Sequence, residues 1–262
     1  MKKTRNPERT MPLMGHLKEL RNRMLVAGFG VLVGAVAGWF LYDPVLQLLQ
    51  APVKEISDQA GRVAEVNFAS VASPFDMKIK ISLFIGVLVS SPVWLFQAAA
   101  FILPGLTKKE KKYALSFVFA SLPLFIGGSG LAWFAIPKAV EGLTSFTPEG
   151  STNIIPAQDY LTFVMVVIVV FGLAFVLPVF MVGFNMLGIL SAKRIQKSWR
   201  WLVVLIFVFA AMASPAPDVL SMFILVVPMT VLFSLAWLLC FLHDRRVKKK
   251  MIADGTWVEP EE

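Results

Sequence analysis

A single cysteine, Cys240, occurs in the 262 residues, which excludes an intrachain disulfide and any cysteine-built metal centre. Histidine is nearly as scarce. His16 and His243 stand far apart in the chain, too few for a histidine-based metal site. No glycine-rich GxxxxGK[ST] loop occurs, so the phosphate cradle of an ATPase is missing. Charge is sparse as well: 16% of residues are Asp, Glu, Lys or Arg, against 57% hydrophobic. That balance excludes an ordinary soluble domain of this length. The net charge of +8 does not point to nucleic acid, because the basic residues sit in short blocks between apolar runs. No constellation of acid, base and nucleophile stands near an interface. An enzyme is therefore not expected, and neither a cofactor nor a metal.

What the chain has in abundance is apolar runs. They cover 24–42, 79–103, 113–136, 161–187, 201–213 and 219–242. The first holds 19 residues, long enough as a helix to cross roughly 30 Å of hydrocarbon. An Ala-Val-Ala at 35–37 imitates a signal-peptide cleavage site. The basic segment before the run is too long for that, and later spans would have no reason to be secreted. The fifth run, with 13 residues, crosses only if preceding basic residues join its helix and snorkel, or if the bilayer thins.

Ahead of the first run, Leu13, Leu17, Leu20 and Met24 recur at helical spacing. They predict a short amphipathic helix lying in the headgroup layer. Glu19 in this segment has an ordinary explanation, an i,i+4 pair with Arg23. The polar intervals 43–77 and 137–160 predict short helical pieces joined by turns in the first case and a polar loop in the second. Lys78 and Lys80 lead into the second span with stems long enough to snorkel. Ser90-Ser91-Pro92 predicts a kink there, with the serines re-satisfying freed backbone. Gln97 is polar at membrane depth, fit for an interhelical hydrogen bond or a substrate contact. The cluster Gly127, Gly128, Ser129 and Gly130 permits close helix approach. Phe171-Gly172, Pro178 and Pro228 are expected bend points.

Orientation follows from Lys and Arg. The segments before the first run, 104–112, 188–200 and the C-terminal tail hold 7, 4, 4 and 5 of them, whereas 43–77, 137–160 and 214–218 hold 2, 1 and 0. The positive-inside rule then gives six spans with both termini cytoplasmic. The chain reads as an all-α integral membrane protein: one six-span domain over 1–242, then a charged tail over 243–262 expected to be disordered.

After the second run, Pro104 and Gly105 stop the helix, and Lys108, Lys109, Lys111 and Lys112 surround one acid, Glu110. Such an acid either pairs with its neighbours on a solvated loop or is held ready for a cationic partner.

The sequence His16-Leu17-Lys18-Glu19-Leu20-Arg21 resembles the amino-terminal HLxELR motif of the TatC family, the multispanning receptor of the twin-arginine protein translocase. Ser73-Pro74-Phe75, Ser91-Pro92 with Gln97, and Phe101-Ile102-Leu103-Pro104-Gly105-Leu106 with Glu110 are similar to its central signature. Phe171-Gly172, Leu177-Pro178-Val179 and Pro217-Asp218 match its later part. The resemblance implies a cup-shaped bundle of six helices, the fifth and sixth short, in a prokaryotic cytoplasmic membrane. It implies binding of twin-arginine signal peptides at the cytoplasmic face, with Glu19 and Glu110 meeting the arginines and Arg21, Phe101 and Pro104 contributing. Pro52 and Asp218 also match positions where function is sensitive. Single-span TatA- and TatB-type partners, self-association, contact with membrane lipids and proton-driven export of folded cargo follow from the same resemblance. One departure stands out. Where many relatives have a glutamate in the fourth span, this chain has Val176, and Gln97 is a candidate substitute. A secondary transporter or channel for a small solute is the alternative. Its expected inverted repeats and midplane charges are not evident.

Overall fold

The computed structural model describes residues 13–60, 64–67, 70–102, 111–144, 153–186, 188–213 and 219–253. The elements in chain order are α1 (Leu13–Phe40), α2 (Tyr42–Ala60), β1 (Ala64–Asn67), α3 (Ser73–Val89), α4 (Ser91–Ile102), α5 (Lys111–Thr144), β2 (Asn153–Pro156), α6 (Ala157–Met186), α7 (Ala192–Lys197), α8 (Trp199–Ala213) and α9 (Val219–Ala253). They fall into two compact units whose boundaries lie at Leu48/Leu49, Asn67/Phe68 and Leu122/Pro123. The first unit is built on α1, α3 and α4; the second holds β1, β2 and α6 to α9.

Among the described residues, four helical stretches are long and apolar enough to cross a membrane: Met14–Phe40, Phe117–Lys138, Ala157–Met186 and Val226–Ala253. A fifth exists if Ser73–Val89 and Ser91–Phe101 count as one bent span, and Trp199–Met212 is a shorter apolar helix. Phe29, Leu32, Val36 and Phe40 of α1 are exposed, and an outward apolar face of that kind suits lipid rather than water.

In the first unit, the amphipathic start and the first span form one unbroken helix, α1. This corrects the separate surface helix expected around Leu13–Met24. No proline interrupts it, so hydrogen bonding propagates from the polar end into the apolar run. Glycines set its contact with α3. A Cβ on Gly38 would lie 2.6 Å from the Ser82 carbonyl oxygen, and one on Gly86 would lie 2.5 Å from that of Val31. The two backbones approach closely because each of these contacts has a glycine on one side.

The break between α3 and α4 falls at Ser90 with a bend of 59°. Pro92 cannot donate to the preceding turn. The predicted repair by serine is corrected in one respect: the Ser90 hydroxyl is buried without a hydrogen-bond partner. Instead the Trp94 indole N–H reaches back to the Val87 carbonyl at 2.9 Å. Lys78 lies 4.6 Å from the Trp39 ring centroid and 5.3 Å from that of Tyr42, a cation–π arrangement. Lys80 pairs with Asp76 at 2.9 Å.

In the second unit, two four-residue strands accompany the helices of an otherwise all-helical fold. β1 and β2 pair in parallel, with Ala64 opposite Asn153 and Asn67 opposite Pro156. The interval expected to hold short helical pieces instead holds the 19-residue α2 and a strand. Of the glycine cluster on α5, Gly128 meets Phe171 and Phe175 of α6, whereas Gly127 and Gly130 have nothing within 4 Å of a built Cβ. The helix α6 ends at a left-handed Gly188, φ +74°. The Gly188 N–H donates to Asn185 and the Ile189 N–H to Phe184, at 2.9 and 3.0 Å, the paired bonds of a glycine helix stop. Ser191 then caps α7 by accepting from the Arg194 N–H. Trp199 and Arg200 join the fifth apolar run, giving α8 15 residues, about 22 Å of helix. The charged stretch after Leu242, where disorder was expected, is helical as far as Ala253, because no proline or glycine stops α9 there.

Candidate functional site

The residues of the HLxELR-like stretch lie in the first turns of α1. Gly15, Lys18, Glu19, Asn22, Arg23 and Val26 are spaced three and four apart, so they share one helical stripe. With Gln97 of α4 they line an open depression of about 440 Å³. At the same α1/α4 contact, the His16 ring stacks on Phe101 with centroids 4.6 Å apart and planes 14° from parallel.

The depression is organised around one carboxylate. Arg23 donates Nε and Nη2 to Glu19 Oε1 at 3.0 and 2.6 Å. Its third nitrogen, Nη1, donates to Gln97 Oε1 at 3.3 Å. Glu19 Oε2 is shielded from solvent and has no hydrogen-bond partner. His16 Nδ1 lies 4.0 Å from it, beyond hydrogen-bond reach. The ordinary i,i+4 pairing foreseen for Glu19 is thus present, but it occupies one oxygen only. The chemistry available is recognition of a cation by a part-filled carboxylate, with Lys18 and Arg23 keeping the surroundings basic.

The predicted site residues divide accordingly. Glu19, Gln97 and Phe101 are brought to the α1/α4 contact. Arg21 lies off the stripe, exposed, and donates to Asn22 Oδ1 at 3.4 Å. Pro52 is buried inside α2, and Val176 is buried in α6 at 1% exposure. Both belong to the second unit. Pro104, Glu110 and Asp218 lie outside the described residues. Of the two readings of Gln97, the interhelical hydrogen bond is present, given by Arg23. Sequence reasoning passed over Arg23, His16 and Asn22 as site residues. The three-four spacing from Gly15 to Val26 was the signal that could have found Arg23 and Asn22. Among the described residues, no group of three or more His, Cys, Asp or Glu side chains could hold a metal ion.

The family profile of the Sec-independent protein translocase protein TatC matches residues 15–228. The TatC protein of Xylanimonas cellulosilytica is 45% identical over 240 residues, covering 92% of this chain and 87% of its own. That of Rothia mucilaginosa is 42% identical over 254 residues, covering 96% and 87%. The crystal structure of the twin-arginine translocase receptor TatC in DDM superposes with a TM-score of 0.72 at 29% identity, covering 86% of this chain and 99% of that one. A multi-pass apolar helical fold, the motifs along α1 to α6, and matches over nearly the whole length lead to one conclusion: the chain belongs to the TatC family of Sec-independent protein translocase components.

Proposed function

We propose that this chain is the signal-peptide receptor of a twin-arginine translocation system. It crosses the cytoplasmic membrane six times with both termini inside. It binds twin-arginine signal peptides at its cytoplasmic face through Glu19 and Glu110, aided by Arg21, Phe101 and Pro104. With TatA- and TatB-type single-span partners, and in association with its own copies, it exports folded proteins at the expense of the proton gradient. Pro52, Gln97, Val176 and Asp218 serve translocation or partner contact. The observation that carries this reading is the Glu19 carboxylate, set in an open depression with one oxygen unpaired. A guanidinium offers a planar fork of donors that fits such a group. A small-solute transporter, the other reading of the sequence, has no support from the family to which the chain belongs.

The test is binding and photo-crosslinking of a twin-arginine peptide to the purified full chain. A charge-assisted hydrogen bond is worth roughly 1.5–3 kcal/mol, so Glu19→Gln and Glu110→Gln should each weaken binding about tenfold to a hundredfold. Higher salt should shrink the difference where the site is open to water, and Glu8→Gln serves as the control. Wild-type binding by both variants would show that these acids are ordinary loop charges.

A further inference from the structure

Arg23 is more firmly placed than a surface i,i+4 partner needs to be. Its guanidinium is held at three points: Nε and Nη2 on Glu19 Oε1, and Nη1 on Gln97 Oε1 of a different helix. The Arg23 and Glu19 side chains are 25% and 23% exposed, so the pair is partly withdrawn from water and less screened than a fully exposed one. The second oxygen of Glu19 is left without a partner while the depression lined by both residues stays open. A carboxylate that already holds a guanidinium, in a site proposed to receive guanidinium, is an occupied site.

We propose that Arg23 is a resident placeholder: an internal arginine that fills the Glu19 site when no signal peptide is bound and must yield or share when one arrives. The inference rests on the reading of Glu19 as a peptide-binding residue and adds how that residue is regulated. Gln97 is the anchor that keeps the placeholder seated. The consequence is a threshold. An internal competitor lowers the apparent affinity of every incoming cation by one common factor, because each must first displace it. A twin-arginine segment replaces the lost hydrogen bonds like for like. A lysine segment brings a strongly hydrated point charge without the fork, so its weaker binding is pushed below a useful level. The fork sets the ratio between the two ligands, and the competitor sets the threshold below which the weaker one falls, with no added pocket. The contact also spares the empty receptor an unpaired, partly buried carboxylate.

The experiment compares binding of a twin-arginine peptide and a twin-lysine peptide to the purified full chain in its wild-type form and as Arg23→Gln, Gln97→Leu, Glu19→Gln and the Glu19→Gln/Arg23→Gln double variant. Arg23→Gln should tighten both peptides by a similar factor, about tenfold, the weight of one charge-assisted hydrogen bond. Lysine-peptide binding should thereby rise into the measurable range. Gln97→Leu leaves Arg23 in place but removes its third anchor. It should move both affinities in the same direction by about threefold, and it keeps the test decisive if Arg23→Gln does not fold. The double variant should show none of the gain. A merely structural role for Arg23 would weaken binding, never tighten it. If Glu19→Gln weakens the arginine peptide but neither Arg23→Gln nor Gln97→Leu tightens it, the placeholder is overturned and the reading of Glu19 stands. If Glu19→Gln leaves binding unchanged, both are overturned.

Discussion

Asp244 on α9 accepts the backbone N–H of Ala192, the first residue of α7, at 2.7 Å through Oδ2. Its other oxygen accepts Asn185 Nδ2 at 2.8 Å, and the same Asn185 nitrogen donates to the Leu190 carbonyl at 2.8 Å. Trp237 adds a bond from its indole N–H to the Ala192 carbonyl at 3.3 Å. One carboxylate therefore ties the turn after α6 to the last helix, and it sits at the N-terminus of the basic α7, where a negative charge is favourable.

Asp244→Ala should accordingly destabilise the second unit by about 2 kcal/mol, the weight of a hydrogen bond to a charged acceptor. Asp244→Asn, which keeps one carbonyl acceptor, should recover part of that. Thermal unfolding in detergent measures both. A wild-type midpoint for Asp244→Ala would mean that the turn is held by its glycine stop and serine cap alone.

The glycines predict opposite outcomes for the same substitution. Gly86→Ala places a methyl 2.5 Å from the Val31 carbonyl oxygen, so α1 and α3 must separate, at a cost of roughly 1–3 kcal/mol. Gly127→Ala meets nothing within 4 Å and should leave stability unchanged or raise it by up to about 1 kcal/mol. Melting temperatures of the two variants, side by side, check the contrast.

Val176 lies on the α6 face that also carries Gly172 and Phe175, both packed on α5 residues. Val176→Glu would bury a carboxyl group without a donor, costing on the order of 3 kcal/mol. The purified variant should melt early. Coexpression with TatA- and TatB-type partners should restore its level, because partner helices could then supply the missing donor. Equal loss with and without partners would remove Val176 from the partner surface.

Topology is testable with Cys240, which is buried, replaced by serine. Single cysteines at Lys109 and Thr152 should then react with a membrane-impermeant maleimide from opposite sides of the membrane. Labelling from one side would overturn the six-span arrangement.

Much of this fold is local, and local features are legible residue by residue. Apolar runs long enough to span, the proline-driven break at Ser90–Pro92, and the basic segments between them are properties of short windows, where length, missing donors and charge act without distant partners. So was the HLxELR-like stretch around Glu19, together with the chance that Glu19 simply pairs with Arg23. Other features depended on which segments meet. The parallel pairing of 64–67 with 153–156 joins residues too far apart for any window to couple. The Trp94 indole replaces a serine as the partner of the freed carbonyl because the 59° bend brings its ring over the preceding turn. Asp244 reads as an ordinary tail charge until α9 packs on α7. Above all, only the crossing of α1 and α4 brings Gln97 to Arg23 and leaves one oxygen of Glu19 unpaired. A carboxylate's readiness for a ligand is decided by how many donors surround it, and those donors arrive from different helices.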